Sequence, residues 1–194
     1  MIKKALHFLK NKRLVKKAES NAPIMLYTFK LNGAVIPNTR VGSSSAFVGK
    51  EGLSLAENVF IGQFNFIEAS NGIKIEEGVQ ITNYISILSH SSHDSIRLYG
   101  KEYRTHKELK GYQKGTVSIG KYSFIGPHST LMPNTKIGKG SIVSAYSFVS
   151  GSFPDFSIIA GNPAKVVGST KERDQELLKR FPELQTFYAA WVNE

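Results

Sequence analysis

Cysteine is absent from all 194 residues. That excludes a disulfide scaffold, thiolate metal sites and a cysteine nucleophile, and it fits a reducing compartment. No apolar run approaches the roughly 20 residues that a membrane-spanning helix needs. Acidic residues are few beside basic ones, 15 Asp and Glu against 25 Lys and Arg, for a net charge of +10. The excess is concentrated at one end. The opening MIKKALHFLKNKRLVKK carries Lys3, Lys4, Lys10, Lys12, Arg13, Lys16 and Lys17 and no acid, which leaves only +3 for everything after it. Lysines interrupt each apolar stretch there, so the segment does not read as a secretory signal. Ile2, Leu6 and Leu9 fall at helical spacing and predict a short basic amphipathic helix within residues 1–20. Such a helix covers one end of the domain or touches an anionic membrane surface. Nucleic acid is not implied, because no nucleic-acid motif accompanies the charge.

What the chain does have is a period of six. Ile119, Ile125, Leu131, Ile137, Val143 and Val149 are evenly spaced, and Ser123, Ser129, Thr135, Ser141 and Ser147 each stand four places after one of the first five. Val41, Phe47 and Leu53 keep the same period upstream. The phase then slips by two to Ile61 and Ile67, and again to Ile75, Ile81 and Ile87, with Val79 and Ile85 in a second inward slot. A helix buries a stripe near period 3.6 and a simple amphipathic strand buries every second residue. A period of six therefore means a corner after each hexad, with three hexads making one coil of a triangular prism. The large aliphatic fills the interior, the small hydroxyl residue faces in near the corner, and glycine is expected to relieve the turn backbone. The fold class predicted is an all-β parallel β-helix.

This pattern resembles the hexapeptide-repeat acyltransferases, and the resemblance spans about residues 35–168. It implies a left-handed β-helix, a handedness that the spacing does not give, since ordinary crossovers are right-handed. The repeat closes on FPDFSIIAGNPAKVVG, where Ala160-Gly161-Asn162-Pro163-Ala164-Lys165 breaks regular structure and matches the "GNPAK" ending of the acetyltransferase branch. The expected divisions are a basic helical segment over 1–20, a β-helix over 35–168 and a helical tail over 169–194. In the tail Leu177, Phe181, Leu184, Tyr188 and Trp191 recur at helical spacing and Pro182 divides the helix.

The hexads stop at Ile87 and resume at Val117, so about residues 89–116 must project from the prism. Long insertions of this kind are usually functional or disordered. His90 lies three residues past Ile87, close to a rigid coil, where an imidazole suits a general base. The residues alone leave that reading open beside a polar surface loop.

The resemblance adds detail. Sugar O-acetyltransferases of the galactoside and maltose type begin this loop with His-Pro-x-x-x-x-x-Arg. The run His90 to Arg97 keeps the spacing but has Ser91 in place of proline. His90 takes the catalytic place, and His93 matches a second histidine near the substrate. Asn65, in GQFNF, stands where relatives have an asparagine that contacts the acceptor hydroxyl. The alternative for Asn65 is a corner residue tolerated for its turn conformation. Ala145, Ser150 and Lys165 fall where the family contacts coenzyme A. Pro127 and Gly168 stand where two further cofactor contacts are lost.

The implied reaction is direct transfer of an acetyl group from acetyl-CoA to a hydroxyl of a surface polysaccharide, lipid-linked oligosaccharide or related sugar, with His90 as base. No metal is expected. The implied assembly is a homotrimer with its sites between subunits, cytoplasmic and at most peripheral to the inner face of the membrane. Three alternatives stay open: an antibiotic acetyltransferase of the streptogramin or chloramphenicol type, a nucleotide-amino-sugar acyltransferase, and a scaffold or metal-binding β-helix using His90, His93, His106 or His128.

Overall fold

Each hexad forms one short strand and one corner, and the strands collect on three flat faces. The computed structural model describes residues 12, 13, 16 and 19–193. The first face holds Arg40–Gly42, Phe60–Ile61, Gln80–Ile81, Phe124–Ile125, Ile142–Val143 and Ser157–Gly161. The second holds Ala46–Val48, Phe66–Glu68, Ser86–Leu88, Thr130–Leu131 and Phe148–Val149. The third holds Leu53–Leu55, Ile73–Ile75, Val117–Ile119, Lys136–Ile137 and Ser152–Phe153. Along each face every strand pairs in parallel with the strand one coil away, and like residues stack. On the first face Ile61, Ile81, Ile125, Val143 and Ile159 form one column. On the second, Phe47, Ile67, Ile87, Leu131 and Val149 form another. Apart from Phe47, which is partly buried and packs against the rest, these side chains belong to a single buried core, and each fully buried aliphatic contributes about 1.5–3 kcal/mol over its exposed state.

The two slips of phase have a structural cause. On the third face the early strands turn two residues inward each: Leu53 with Leu55, Ile73 with Ile75, Val117 with Ile119. The first coils are therefore longer than the later ones. The corner bond from Val59 N to Thr39 Oγ1 spans 20 residues, whereas that from Ser141 N to Ser123 Oγ spans 18.

The small hydroxyls are buried at the corners as expected and carry a ladder of their own. Ser123 Oγ donates to Gly138 O at 3.0 Å and accepts from Ser141 N at 3.1 Å. Ser129 Oγ donates to Ser144 O at 3.0 Å and accepts from Ser147 N at 3.3 Å. The role expected for glycine needs correction. Gly126 does not take positive φ; a Cβ there would sit 2.6 Å from Ala145 N and 2.7 Å from Val143 O of the next coil. It is there for close approach between coils. The left-handed residues come two places later and are bulky: Phe64, Tyr84, His128 and Tyr146, with φ of 60–61°. Their rings stack face to face along the corner between the first and second faces, with centroids 5.0, 4.9 and 4.8 Å apart. Stacking of this kind offsets part of the cost of the left-handed backbone.

Two features at the ends go beyond the repeat. Phe29–Leu31 and Ala34–Ile36 form an antiparallel hairpin that adds Phe29 and Leu31 to the core, and Phe29 packs on Phe47 with centroids 5.4 Å apart. At the other end Ser157–Gly161 turns back antiparallel on Ala164–Ser169. Helices Thr170–Arg180 and Gln185–Val192 follow, joined through a 3₁₀ turn at Pro182–Leu184. They lie at the corner between the third and first faces. There Trp191 packs on Tyr122 and Phe156, and Thr170 Oγ1 donates to Gly140 O at 2.7 Å. Of the apolar stripe, Leu177, Phe181 and Leu184 remain exposed. Lys12, Arg13, Lys16, Glu19 and Ser20 are helical and exposed; the rest of the predicted basic helix lies outside the described residues.

Candidate active site

The third corner, between the second and third faces, is where regular coiling is interrupted. The chain leaves the second face after Leu88 and rejoins the third at Val117. The insertion is ordered rather than loose. Its neck is a two-residue antiparallel ribbon in which His90 lies opposite Lys114 and Ser91 opposite Gln113. Beyond it come the His93–Tyr99 helix and a 3₁₀ turn over Gly100–Arg104. Directly opposed residues of a ribbon project to one side, and neighbours along the strand project to the other. The neck therefore puts His90 and Lys114 on one side and Ser91, whose hydroxyl meets His93, on the other.

His90 shares its side with Lys114 and Tyr112. Its Nδ1 is 2.7 Å from Glu68 Oε2, and its ring lies nearly parallel to that of Tyr112, centroids 5.6 Å apart at 14°. Glu68 ends the second-face strand one coil away, opposite Leu88. Its carboxylate is buried and fully occupied. Oε1 accepts from Ser70 N at 3.0 Å, and Oε2 accepts from Ser89 Oγ at 2.7 Å as well as facing His90. Burial alone would push this carboxyl up, but the hydrogen bonds from Ser70 and Ser89 and the facing imidazole outweigh it, and the group is lowered to about 2. An ionised Glu68 accepts a hydrogen bond from Nδ1–H of His90, which fixes the tautomer with the lone pair on Nε2. Among the described residues no hydrogen-bond partner meets that Nε2, and the His90 side chain is 34% exposed. A carboxylate-oriented imidazole with its other nitrogen open is the geometry of a general base.

His93 is placed differently. Its Nδ1 is 2.7 Å from Ser91 Oγ, and its Nε2 faces Asp94 Oδ2 at 3.3 Å and Gln113 Nε2 at 3.4 Å. Both ring nitrogens are engaged within the loop. Arg97 closes the same cluster, with guanidinium bonds to Asp94 and to His93 O. Asp94 is held below its ordinary value chiefly by Arg97.

The structure scatters the other residues singled out above. Asn65 is only 2% exposed and occupies an inward corner slot. Its Oδ1 accepts from Ile85 N at 2.8 Å and its Nδ2 donates to Thr82 O at 2.8 Å. Neither group is open to an acceptor, so the expected contact is replaced by a corner role, and the left-handed position is its neighbour Phe64. Ala145 and Ser150 are exposed and flank the Phe148–Val149 strand. Ser150 lies two strands along the second face from Leu88, at the corner from which the chain leaves toward His90. Lys165 is exposed in the closing hairpin, opposite Ala160. His106 packs on Tyr99 and His128 sits inside the ring column, so the four histidines occupy separate settings. Among the described residues no three His, Asp or Glu side chains are grouped to hold a metal ion.

Glu68 is the residue of this corner that the sequence pattern did not single out. Its signal was an acid ending an inward-facing strand, in FIEAS, one 20-residue coil before Leu88 and next to the histidine corner.

Comparison with known proteins supports this architecture. The family described as "Bacterial transferase hexapeptide (six repeats)" matches residues 116–151. The putative acetyltransferase YvoF of Bacillus subtilis (strain 168) is 40% identical over 82 residues, covering 42% of this chain and 45% of its own. The dTDP-4-amino-4,6-dideoxy-D-glucose acyltransferase of Escherichia coli is 27% identical over 162 residues, covering 73% of this chain and 83% of its own. The chain thus spans less than half the length of the first of these relatives and most of the second. Among solved structures, a maltose O-acetyltransferase from Clostridium difficile 630 superposes with a TM-score of 0.56 at 18% identity, over 69% of this chain and 66% of that one. The fold they share is the left-handed β-helix. With its stacked hexads and its projecting loop, the chain carries the bacterial transferase hexapeptide repeat over residues 116–151 and is similar to these acetyl- and acyltransferases.

Proposed function

We propose that the protein transfers an acetyl group from acetyl-CoA to a hydroxyl of a saccharide, with His90 as general base and Glu68 as the residue that positions it. The observation that carries this reading is the 2.7 Å contact of His90 Nδ1 with buried Glu68, which leaves Nε2 free on a partly exposed side chain. Acetyl-CoA supplies the activated acetyl group. His90 Nε2 accepts the proton of the attacking hydroxyl, and the imidazolium so formed faces a carboxylate that is already ionised. The same proton is then available to the departing thiolate. General-base help of this type contributes about 10²–10⁴-fold. Holding the two substrates together contributes more. No cysteine is present to form an acyl-enzyme, so direct transfer is preferred to a covalent relay. Ala145, Ser150 and Lys165 are the proposed cofactor contacts, and His93 holds the loop that carries the acceptor.

The flat faces are proposed to assemble as a homotrimer that completes each site between subunits. The work of the enzyme is proposed to be cytoplasmic, at most peripheral to the membrane; among the described residues no helix is long and apolar enough to cross one. A second reading, N-acylation of a nucleotide-linked amino sugar, is favoured by the relative in which the alignment covers 83% of the length. It uses the same base on an amine.

Thiol release from acetyl-CoA, measured with a panel of neutral, acidic and amino sugars, tests both. Acceptor-dependent release that disappears in His90→Ala and survives in His93→Ala is the expected result. Loss in His93→Ala alone would move the base along the loop. No release, with no rise in melting temperature on adding acetyl-CoA, would refute acyl transfer, since a ligand of the folded state stabilises it.

A further inference from the structure

Outside the opening basic segment the positive charge of this protein resides in one place. Across residues 18–194, leaving out 89–116, basic and acidic side chains balance. The loop itself has Arg97, Lys101, Arg104, Lys107, Lys110 and Lys114 against Asp94, Glu102 and Glu108. Arg97 is spent on Asp94 within the loop. Lys114 is not: it lies opposite His90 in the neck, its Nζ 5.4 Å from the centroid of the Tyr112 ring that stacks on the His90 imidazole. Lys107, Leu109, Tyr112 and Lys114, with Glu108, line a groove of about 530 Å³, a volume within the range of small-molecule sites. No carboxylate among the described residues pairs with Lys107 or Lys114. The wall shared with the proposed base is the Tyr112 ring, which stacks on His90 and lies under Lys114 Nζ. The groove thus offers two unpaired cations next to a neighbouring base.

We propose that this groove binds an anionic group of the acceptor, a carboxylate or phosphate carried by the saccharide, through Lys107 and Lys114. The proposal rests on the acyl-transfer reading above and names its substrate class. Two sources share this chemistry: a uronic-acid unit of a polysaccharide, and the diphosphate of a nucleotide-linked sugar. A charge-assisted hydrogen bond to the acceptor is expected to give roughly tenfold selectivity.

The test uses the full chain and matched acceptors: galactose against galacturonate, glucose against glucuronate, and glucose against UDP-glucose. Two quantities are read for wild type and for the Lys107→Gln/Lys114→Gln double variant. One is thiol release from acetyl-CoA. The other is acceptor binding without acetyl-CoA, by saturation-transfer NMR. The expected result is that the acidic member of a pair is preferred, that the ratio of its kcat/KM to that of its neutral partner falls tenfold or more in the double variant, and that raising ionic strength narrows the preference in wild type. Preference for the uronates assigns the source to a polysaccharide, and preference for UDP-glucose to a nucleotide sugar. Equal binding of acidic and neutral members, or no binding of either, overturns the proposal. So does a rise in the KM for acetyl-CoA in place of the lost selectivity, since the lysines would then hold the cofactor's phosphates. If wild type binds galacturonate through the two lysines yet releases no thiol with any acceptor, the groove stands and the acyl-transfer reading fails. If neutral sugars are acetylated without any acidic preference, acyl transfer stands and the groove proposal fails.

Discussion

Two corners of the prism each present a histidine, and the two are held in opposite ways. At the corner between the first and second faces, His128 lies flat between Tyr84 and Tyr146, within 5 Å of each by centroid. At the corner between the second and third faces, His90 is held by its edge to Glu68 and by one ring face to Tyr112. Ring faces of His128 are consumed by stacking, and no carboxylate sets its tautomer. His90 keeps one nitrogen open and has the other assigned. The repeat supplies equivalent corners at every coil, so residue type alone does not separate structure from chemistry. What separates them is a buried acid one coil away and the break in the hexads that lets the chain leave.

The sharpest way to break this comparison is to remove each ring in turn. His90→Ala is expected to lower acetyl transfer by about 10²–10⁴-fold, the range for losing a general base. His128→Ala is expected to keep turnover close to wild type in the same thiol-release assay. If His128→Ala proved the more damaging, the assignment of roles to the two corners would be reversed. A smaller effect follows from Glu68→Gln, which keeps the shape but loses the charge facing Nδ1. Losing a hydrogen bond to a charged group costs about 1.5–3 kcal/mol, so kcat is expected to fall by about 10–100-fold. The loss belongs in kcat rather than in the KM of either substrate, because Glu68 is buried behind the imidazole. A change confined to KM would give Glu68 a binding role instead.

Much of this was legible in the sequence, because a period of six admits few solutions. The inward columns, the corner hydroxyls and the limits of the insertion all follow from counting residues between aliphatics. Two things were hidden. The early coils take two extra residues on the third face, which shifts the phase and conceals that residue 68 stacks under residue 88. Without that register Glu68 is only an acid in a strand. Asn65 misled in the other direction. A polar residue at a corner reads equally as ligand or as ladder, and only burial with both amide groups occupied by Thr82 O and Ile85 N distinguishes them. Strand order inside the loop neck was equally out of reach, since a two-residue ribbon such as His90–Ser91 with Gln113–Lys114 leaves no periodicity to read.

Stability measurements sharpen the same contrast at smaller scale. His128→Ala removes two ring contacts from the column. Each such pair contributes about 0.5–1.5 kcal/mol when well packed, and the column is exposed, so a loss of about 1 kcal/mol in denaturant unfolding is expected, whereas His90→Ala, which removes the hydrogen bond to buried Glu68 and the stack on Tyr112, is expected to cost at least as much.

Glu68 gives the finest test, through pH. Its carboxyl is lowered in the folded protein to about 2, while an unfolded glutamate titrates near 4.3. A lowered value means that the folded state holds the ionised form more tightly. That stabilisation is fully present above the unfolded value, declines as pH falls through the interval between the two, and is gone below the folded one. The pH-dependent part of the stability difference between wild type and Glu68→Gln should therefore be flat above about pH 5 and shrink steadily toward pH 2. A difference that stayed constant through that interval would mean that Glu68 is not held ionised, and the fixed tautomer of His90 would lose its cause. The column around His128 contains no acid, so His128→Ala should show no such slope between pH 5 and pH 2.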